Sequence, residues 1–285
     1  MKPIFEQVSI IGLGLIGGSL GMALRKNKAA RRVIGFARRP LVLRQAKRLG
    51  AIDDGDTLLC SDWLSRSDLV VIATPLDTVP GLARRVARMA AGPVIVTDAA
   101  GTKGSIVRAL RRPAGKLIFV GGHPMAGSER SGIAAARADL FRGAACVLTP
   151  AAGTPKEAAA KVAALWRSVG ARVVVRSAAR HDREVARISH LPHLTAVGLI
   201  ETADPASLKL AGSGFFDTTR IGMASPALWE TICLDNRREI VGALDRYLKR
   251  MTTLRNQIRR GEGKTLRRRL KSAAAKRKRL VRRAG

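Results

Sequence analysis

Val8-Ser-Ile-Ile-Gly12-Leu-Gly14-Leu-Ile-Gly17-Gly-Ser19 is the stretch on which the fold turns. Val8 to Ile11 is a short β-branched run that reads as a buried strand, Gly12 stops it, and Ser19 to Leu24 reads as helix. A G-x-G-x-x-G spacing between strand and helix has a physical meaning. The first glycine permits the tight turn, the second lets backbone approach a pyrophosphate, and the third lets helix and strand pack closely. The helix N-terminus then faces the anion. Gly12, Gly14 and Gly17, with Leu15 and Ile16 between them, are therefore the expected dinucleotide loop.

Outward from this loop, strand-like runs recur at Val33 to Phe36, Leu69 to Ala73, Val94 to Thr97, Leu117 to Val120 and Ala145 to Leu148. Segments with helical spacing alternate with them, at Leu41 to Leu49, Val79 to Met89 and Ser105 to Leu110. That alternation predicts an α/β fold, an N-terminal Rossmann-like parallel sheet covered on both faces with right-handed crossovers. After Pro150 come a helix at Lys156 to Val169 and a strand at Arg172 to Val175. The pattern is then helical at His181 to Glu201, Ala206 to Leu210, Pro226 to Leu234 and Asn236 to Arg255, a mostly α-helical domain. No internal repeat is visible. The expected division is a dinucleotide-binding domain over residues 1–178, with Ala151 to Pro155 as its first linker, a helical domain over 179–254, and a basic tail over 255–285. The tail lacks an apolar face to bury and is expected to be frayed helix or disorder.

The chain has 285 residues, 46% of them hydrophobic, and a formal charge of +31. Such a charge first suggests nucleic acid. The segment from Arg255 onward, however, holds fourteen basic residues against one acid, leaving +18 for the much longer body. There the basic residues stand singly between apolar ones, and a single Tyr offers no stacking surface. Nucleic acid is not an expected partner of the body; a polyanion-binding protein with a nucleotide-sensing fold is the reading from another functional class. Cys60, Cys146 and Cys233 are far apart and odd in number, which indicates neither a disulfide framework nor a metal site and fits a cytoplasmic protein. No stretch has the length and apolarity of a membrane span.

An NAD enzyme usually carries an acid about twenty residues beyond the glycine loop, at the end of the second strand. Here that place is Ala37, followed by Arg38 and Arg39. No carboxylate repels a 2′-phosphate and two guanidiniums are placed to bind one, so NADP is expected, with NAD as the alternative. Two further strings concentrate unusual residues: Gly121-Gly-His123-Pro-Met-Ala-Gly-Ser128-Glu129, after a strand at the carboxyl edge of the sheet, and Ser189-His190-Leu-Pro-His193. A histidine at that edge can take a proton from an alcohol while hydride leaves the same carbon.

These strings, with Ala73-Thr74-Pro75, Ser131-Gly132, Leu140-Phe141, Leu148-Thr-Pro150, Asp217-Thr-Thr-Arg220-Ile221 and Trp229, resemble the prephenate and arogenate dehydrogenases of tyrosine biosynthesis over roughly residues 6 to 250. The resemblance implies oxidative decarboxylation of a cyclohexadienol, giving 4-hydroxyphenylpyruvate from prephenate or tyrosine from arogenate. It implies that His123 draws off the ring hydroxyl proton and that Arg220 clamps a substrate carboxylate. His193, His190, Ser128, Glu129 and Trp229 match pocket positions, and Thr74 and Pro75 join the cofactor contacts. It also implies a homodimer formed through the helical domain. One departure stands out. The family usually has Asp-x-Gly-Ser-x-Lys after the fifth strand, its serine holding the substrate hydroxyl near the histidine; here Asp98-Ala-Ala-Gly101-Thr102-Lys103 puts glycine there. Thr102, one position later, or a water is then expected to supply the hydroxyl.

Two residues have plain structural readings beside the functional ones. His181, before Asp182, reads as a residue that caps or orients a helix start. Trp229, at helical spacing with Leu228 and Ile232, reads equally as core or pocket. A hydroxyacid or imine dehydrogenase sharing the front half is the related alternative for the whole chain.

Overall fold

The computed structural model describes residues 3–111, 115–128 and 130–284. In chain order the front part runs β1 (Phe5–Ile11), α1 (Leu15–Lys26), β2 (Ala30–Phe36), α2 (Pro40–Arg48), β3 (Asp54–Asp56), α3 (Ser61–Ser65), β4 (Leu69–Ile72), α4 (Val79–Met89), β5 (Val94–Asp98), α5 (Gly104–Ala109), β6 (Leu117–Pro124), β7 (Ala145–Pro150), α6 (Lys156–Ser168) and β8 (Arg172–Val175). The strands form one sheet in the order β3-β2-β1-β4-β5-β6-β7-β8. Central strands such as β4, Leu-Val-Val-Ile, are buried along their whole length, as a sheet covered on both faces requires. Two apolar clusters cover those faces. One packs α1 and α6 around Phe5, Leu20, Phe141 and Trp166, and the other packs α4 around Ile72, Val86 and Val96. Strand order reverses between β1 and β4, which opens the crevice at their carboxyl ends where open α/β sheets bind ligands.

The sheet is not purely parallel. β6 and β7 pair antiparallel, with His123 opposite Val147, and β8 then follows β7 in parallel. A parallel neighbour needs a crossover, usually a helix. Between β6 and β7 the described residues form only a single 3-10 turn, Ile133–Ala135, and the chain comes back beside β6 in the opposite sense. β3 carried no sequence signal because Asp54-Gly-Asp56 has no apolar residue. It is an edge strand whose Gly55 is fixed by contact: a Cβ there would lie 2.2 Å from the Gly35 carbonyl oxygen.

The back part runs α7 (Ala178–Val185), a π turn (Ala186–His190), α8 (Leu191–Thr202), α9 (Pro205–Leu208), α10 (Ser213–Thr219), a 3-10 turn (Arg220–Met223), α11 (Pro226–Asp235), α12 (Arg237–Arg259) and α13 (Gly263–Ala284). The single helix expected at His181 to Glu201 is thus divided at the π turn. Pro192 has no N–H to give to the carbonyl of residue 188, which favours a local widening of the helix. The Gly/Ser/Phe-rich stretch before Arg220 is α10. Thr218 and Thr219 stitch it with hydroxyl bonds to the Gly214 and Phe215 carbonyls, each 2.7 Å.

Contacts divide the chain into two compact units, residues 1–237 and 238–285. In the second, α12 ends in a Schellman turn. Gly261 has φ +65°, Glu262 N–H donates to the Gln257 carbonyl (3.0 Å), and Gly261 N–H donates to that of Ile258 (3.0 Å). The basic end, expected as frayed helix or disorder, is helical through Ala284. Among the described residues no helix is long and apolar enough to cross a membrane.

Candidate active site

The glycine loop has the geometry its spacing demands. Gly12 has φ +97°, a conformation that favours glycine, and a Cβ on it would lie 2.7 Å from the Ala73 carbonyl oxygen. A Cβ at Gly17 would lie 1.9 Å from the Gly12 carbonyl oxygen, so only glycine lets α1 sit this close to the turn. At Gly14, the N-cap of α1, a Cβ would meet nothing within 4 Å; the backbone is open to an approaching ligand. Leu15 and Ile16 form the first turn of α1, half-buried. Arg38 and Arg39 are exposed directly after β2. Half-buried Thr74 follows β4, its hydroxyl 2.7 Å from that of Thr78, and exposed Pro75 comes next. All of these lie at the carboxyl edge of the sheet, so the cradle suits a nucleotide.

Farther along the same edge, at the end of β6, stands His123. The sequence reading placed it after the strand. It lies within the strand, and its backbone is held by the β7 ladder. Its Nδ1 is 2.8 Å from Nε2 of His181, and His181 Nδ1 is 2.8 Å from Asp182 Oδ1. Asp182 accepts in addition from the backbone N–H groups of Lys103 (2.9 Å) and Gly104 (2.7 Å), at the start of α5. An ionised carboxylate can only accept, so His181 Nδ1 carries the proton. With one proton per ring, His181 Nε2 is then an acceptor and His123 donates to it through Nδ1. The lone pair of His123 is thereby held on Nε2. That atom lies 3.9 Å from where a Cβ of Gly101 would be.

Under this strand lies a fully buried ion pair between Lys103 Nζ and Asp98. Asp98 also accepts from the N–H groups of Gly122 and Ala100, each at 3.0 Å, and so ties the end of β5 to the strand that bears His123. Burial pushes the His123 imidazole well below its ordinary value, and the neighbouring His181, Lys103 and His190 push it further. Burial works to raise the Asp182 carboxyl, yet the His181 bond and the two backbone donors outweigh it and leave the group below the ordinary range.

The helical half supplies a second cluster. His190 ends the π turn, and His193 and Trp229 come from α8 and α11. The Trp229 and His193 rings stack at 3.5 Å and 2°, while His190 meets Trp229 edge-on at 5.9 Å. Both histidines are buried, and among the described residues His193 Nδ1 has no hydrogen-bond partner. Burial pushes His190 down to about 4, with Asp182 opposing and His181 and His193 adding. His193 is lowered by burial as well. Trp229 is half-buried against two histidines, which fits a pocket wall better than core.

Other expected positions fall differently. Arg220 is exposed and opens a 3-10 turn. Ser128 is exposed in the loop after β6, its hydroxyl accepting from Arg130 N–H at 3.1 Å. Glu129 lies outside the described residues. Thr102 is fully buried, and its hydroxyl has no partner among the described residues. The position that faces the imidazole is 101 itself. His181 is a correction. Ser177 caps α7, its hydroxyl accepting from Arg180 N–H (3.3 Å), and His181 lies inside the helix as the bridge between Asp182 and His123. Its sequence neighbourhood, His-Asp at a helix start, reads as a cap; only the meeting of α7 with β6 reveals the relay.

A nucleotide cradle and a proton-accepting imidazole on one sheet edge define the class, a nucleotide-binding oxidoreductase. The family description "Prephenate dehydrogenase, nucleotide-binding domain" matches residues 20–175, and "Prephenate dehydrogenase, dimerization domain" matches residues 177–272. The chain belongs to the prephenate dehydrogenase family. It is 34% identical over 281 residues to the prephenate dehydrogenase of Bacillus subtilis, covering 96% of this chain and 76% of that one. It is 31% identical over 267 residues to the cyclohexadienyl dehydrogenase of Zymomonas mobilis, covering 91% of each. Among solved structures, the prephenate dehydrogenase of Aquifex aeolicus in complex with hydroxyphenyl propionate and NAD+ superposes with a TM-score of 0.88 at 32% identity, covering 96% of this chain and 98% of that one. Synechocystis arogenate dehydrogenase superposes with 0.82 at 28% identity, covering 96% and 99%.

Proposed function

We propose that the chain oxidatively decarboxylates prephenate, or arogenate, with NADP as the acceptor, as a cytoplasmic homodimer whose nucleotide-binding domain ends near residue 178 and whose helical domain begins at 179. The observation that carries this reading is the His123 lone pair, held on Nε2 by the His181–Asp182 relay and aimed at the space beside Gly101. The cofactor supplies the hydride acceptor. Gly12, Gly14 and Gly17, with Leu15, Ile16, Thr74 and Pro75, are the residues to hold it, and Arg38 and Arg39 are placed to pair with a 2′-phosphate. NAD, the nucleotide in the Aquifex aeolicus complex, is the alternative on that point.

In the reaction His123 takes the ring hydroxyl proton on Nε2 as the carbinol is oxidised to a carbonyl. The positive charge that develops on its ring is shared through Nδ1–H with His181 and stabilised by ionised Asp182. Because His123 titrates well below its ordinary value, it is neutral and ready to accept at neutral pH. Arg220 and Glu129, with His190, His193, Ser128 and Trp229, are assigned to hold the acid substrate. Loss of the ring carboxylate as carbon dioxide leaves its electron pair in the ring and gives a phenolate, which takes back the proton held on His123 Nε2. Gly101 gives the substrate hydroxyl direct access to Nε2, since a Cβ there would already be 3.9 Å away.

The test is reduced-nicotinamide absorbance with prephenate and with arogenate, each with NADP and with NAD. Turnover is expected with NADP at a lower KM than with NAD, and His123→Asn is expected to lower kcat by at least about a hundredfold. Wild-type inactivity in all four combinations, or a His123→Asn variant of unchanged rate, overturns the reading.

A further inference from the structure

Asn236, directly after α11, is buried and belongs to none of the groups assigned above. Its side-chain Nδ2 is 2.9 Å from the Asp182 carbonyl oxygen and 3.3 Å from His190 Nδ1. A carbonyl oxygen only accepts, so the atom facing it is the amide nitrogen; the flipped amide would set oxygen against oxygen. The second N–H of the same group then points at His190 Nδ1, which must present a lone pair. A neutral imidazole has one N–H, so the His190 proton sits on Nε2.

We propose that Asn236 is a positioning residue that holds His190 as a neutral Nε2–H donor beside Trp229, and that pins the backbone of Asp182 beneath the His181–His123 relay. This rests on the function proposed above, because His190 is there a substrate-pocket group. One side chain thus joins the pocket half of the site to the proton-accepting half, through two bonds that are both buried. Protonation of His190 would turn Nδ1 into a donor facing the Asn236 donor, so the amide also opposes the charged ring. The titratable groups around His190 are Asp182 and His181 of α7, His193 of α8 and His123 of β6, with Trp229 of α11 as the aromatic wall. Of these only Asp182 favours a positive ring.

The measurement is the pair of 15N ring shifts of His190 in the full-length wild-type protein at pH 7, by long-range proton–nitrogen correlation without substrate. The expected spectrum has a pyridine-like Nδ1 and a pyrrole-like Nε2. Asn236→Asp is nearly isosteric and replaces the donor with an acceptor. It is expected to move the proton to Nδ1, to add an ionisation to the kcat/KM profile near the ordinary histidine value of about 6.5, and to lower kcat/KM about tenfold. Asn236→Ala is expected to give intermediate ring shifts and a similar fall in kcat/KM without the added ionisation. A wild-type His190 carrying its proton on Nδ1 overturns the proposal, as does an Asn236→Asp protein with wild-type ring shifts and an unaltered pH profile. Should the variants fail to fold, the wild-type spectrum decides. Expected ring shifts in a wild-type protein that turns over neither prephenate nor arogenate would sink the functional reading and leave the tautomer assignment standing.

Discussion

Gly12, Gly14 and Gly17 belong to one turn, whereas His123, the His181–Asp182 pair, Asn236 and the Lys103–Gly104 amides are brought together from four separate parts of the chain. In the first region the backbone does the work: Gly12 and Gly17 meet requirements set by neighbours close in sequence or by the adjoining strand end, and Gly14 leaves the turn open. In the second, the working atoms are side chains and amides, and apart from the adjacent His181–Asp182 bond their partners lie far away in sequence, as with the 58 positions that separate His123 from His181. The first kind of site tolerates change in what surrounds it and none in its own residues. The second depends on the strand and helix that carry it meeting at the right register.

The sharpest way to break the contrast is at Asp182. Asp182→Asn removes the fixed acceptor that sets both imidazole tautomers, and kcat is expected to fall about a hundredfold with the cofactor KM unaltered. A matched fall in cofactor affinity would mean that the two regions are not separable. The reciprocal change is Gly17→Ala, whose Cβ would start 1.9 Å from the Gly12 carbonyl oxygen. Forced separation of α1 from the turn is expected to cost about 1–3 kcal/mol of stability, read from denaturant melts, and to weaken nucleotide binding.

Titration should expose the buried histidines independently of activity. His123 and His190 both have folded-state values below their unfolded ones, the latter at about 4. The unfolded chain therefore binds these protons first, so stability falls as pH drops through about 6.5, where free histidine titrates. For His190 the loss levels off near 4, below which both states are protonated. Asp182, held below the ordinary carboxylate range, contributes stability above that range that disappears at still lower pH. Melting curves from pH 7.5 to 4.5 should show this decline, and the Asp182→Asn protein should decline along a different curve. A flat profile over that interval would contradict the burial assigned to the two rings.

The smallest effect is expected at Gly101. A Cβ there makes only ordinary contacts, 3.6 Å to Ile232 and 3.9 Å to His123 Nε2, so Gly101→Ser should fold as the parent does. Its hydroxyl would reach the imidazole, and a rise in kcat of less than about fivefold is expected in steady-state assays. A large loss would show that the relay tolerates no second partner.

The same contrast explains what could be read from the sequence. β1, the glycine turn and α1 announce themselves because period, β-branching and glycine spacing are local properties. His123, His190 and His193 are legible through the strings around them. His181 was not, because a His-Asp pair near a helix start has the form of a cap and nothing nearby tells that β6 will lie against it. Asn236 gave no signal either, being one polar residue between two helices. Direction was not legible either: adjacency in sequence says nothing of it, and Thr102 is buried while position 101 faces the imidazole. The antiparallel turn of β7 was missed because strand direction depends on the path of the connection, not on the composition of the strand.

That reversal has a consequence for how the site can adapt. Many catalytic side chains ride on loops, where a small drift of backbone retunes them. The imidazole at the end of β6 instead hangs from a doubly paired strand, flanked by β5 and β7, in the part of a protein that opens least often to solvent. Under the proposed function, retuning toward a new acid is therefore left to the helical pieces that carry His190, His193 and Trp229, while the imidazole stays where the sheet has fastened it.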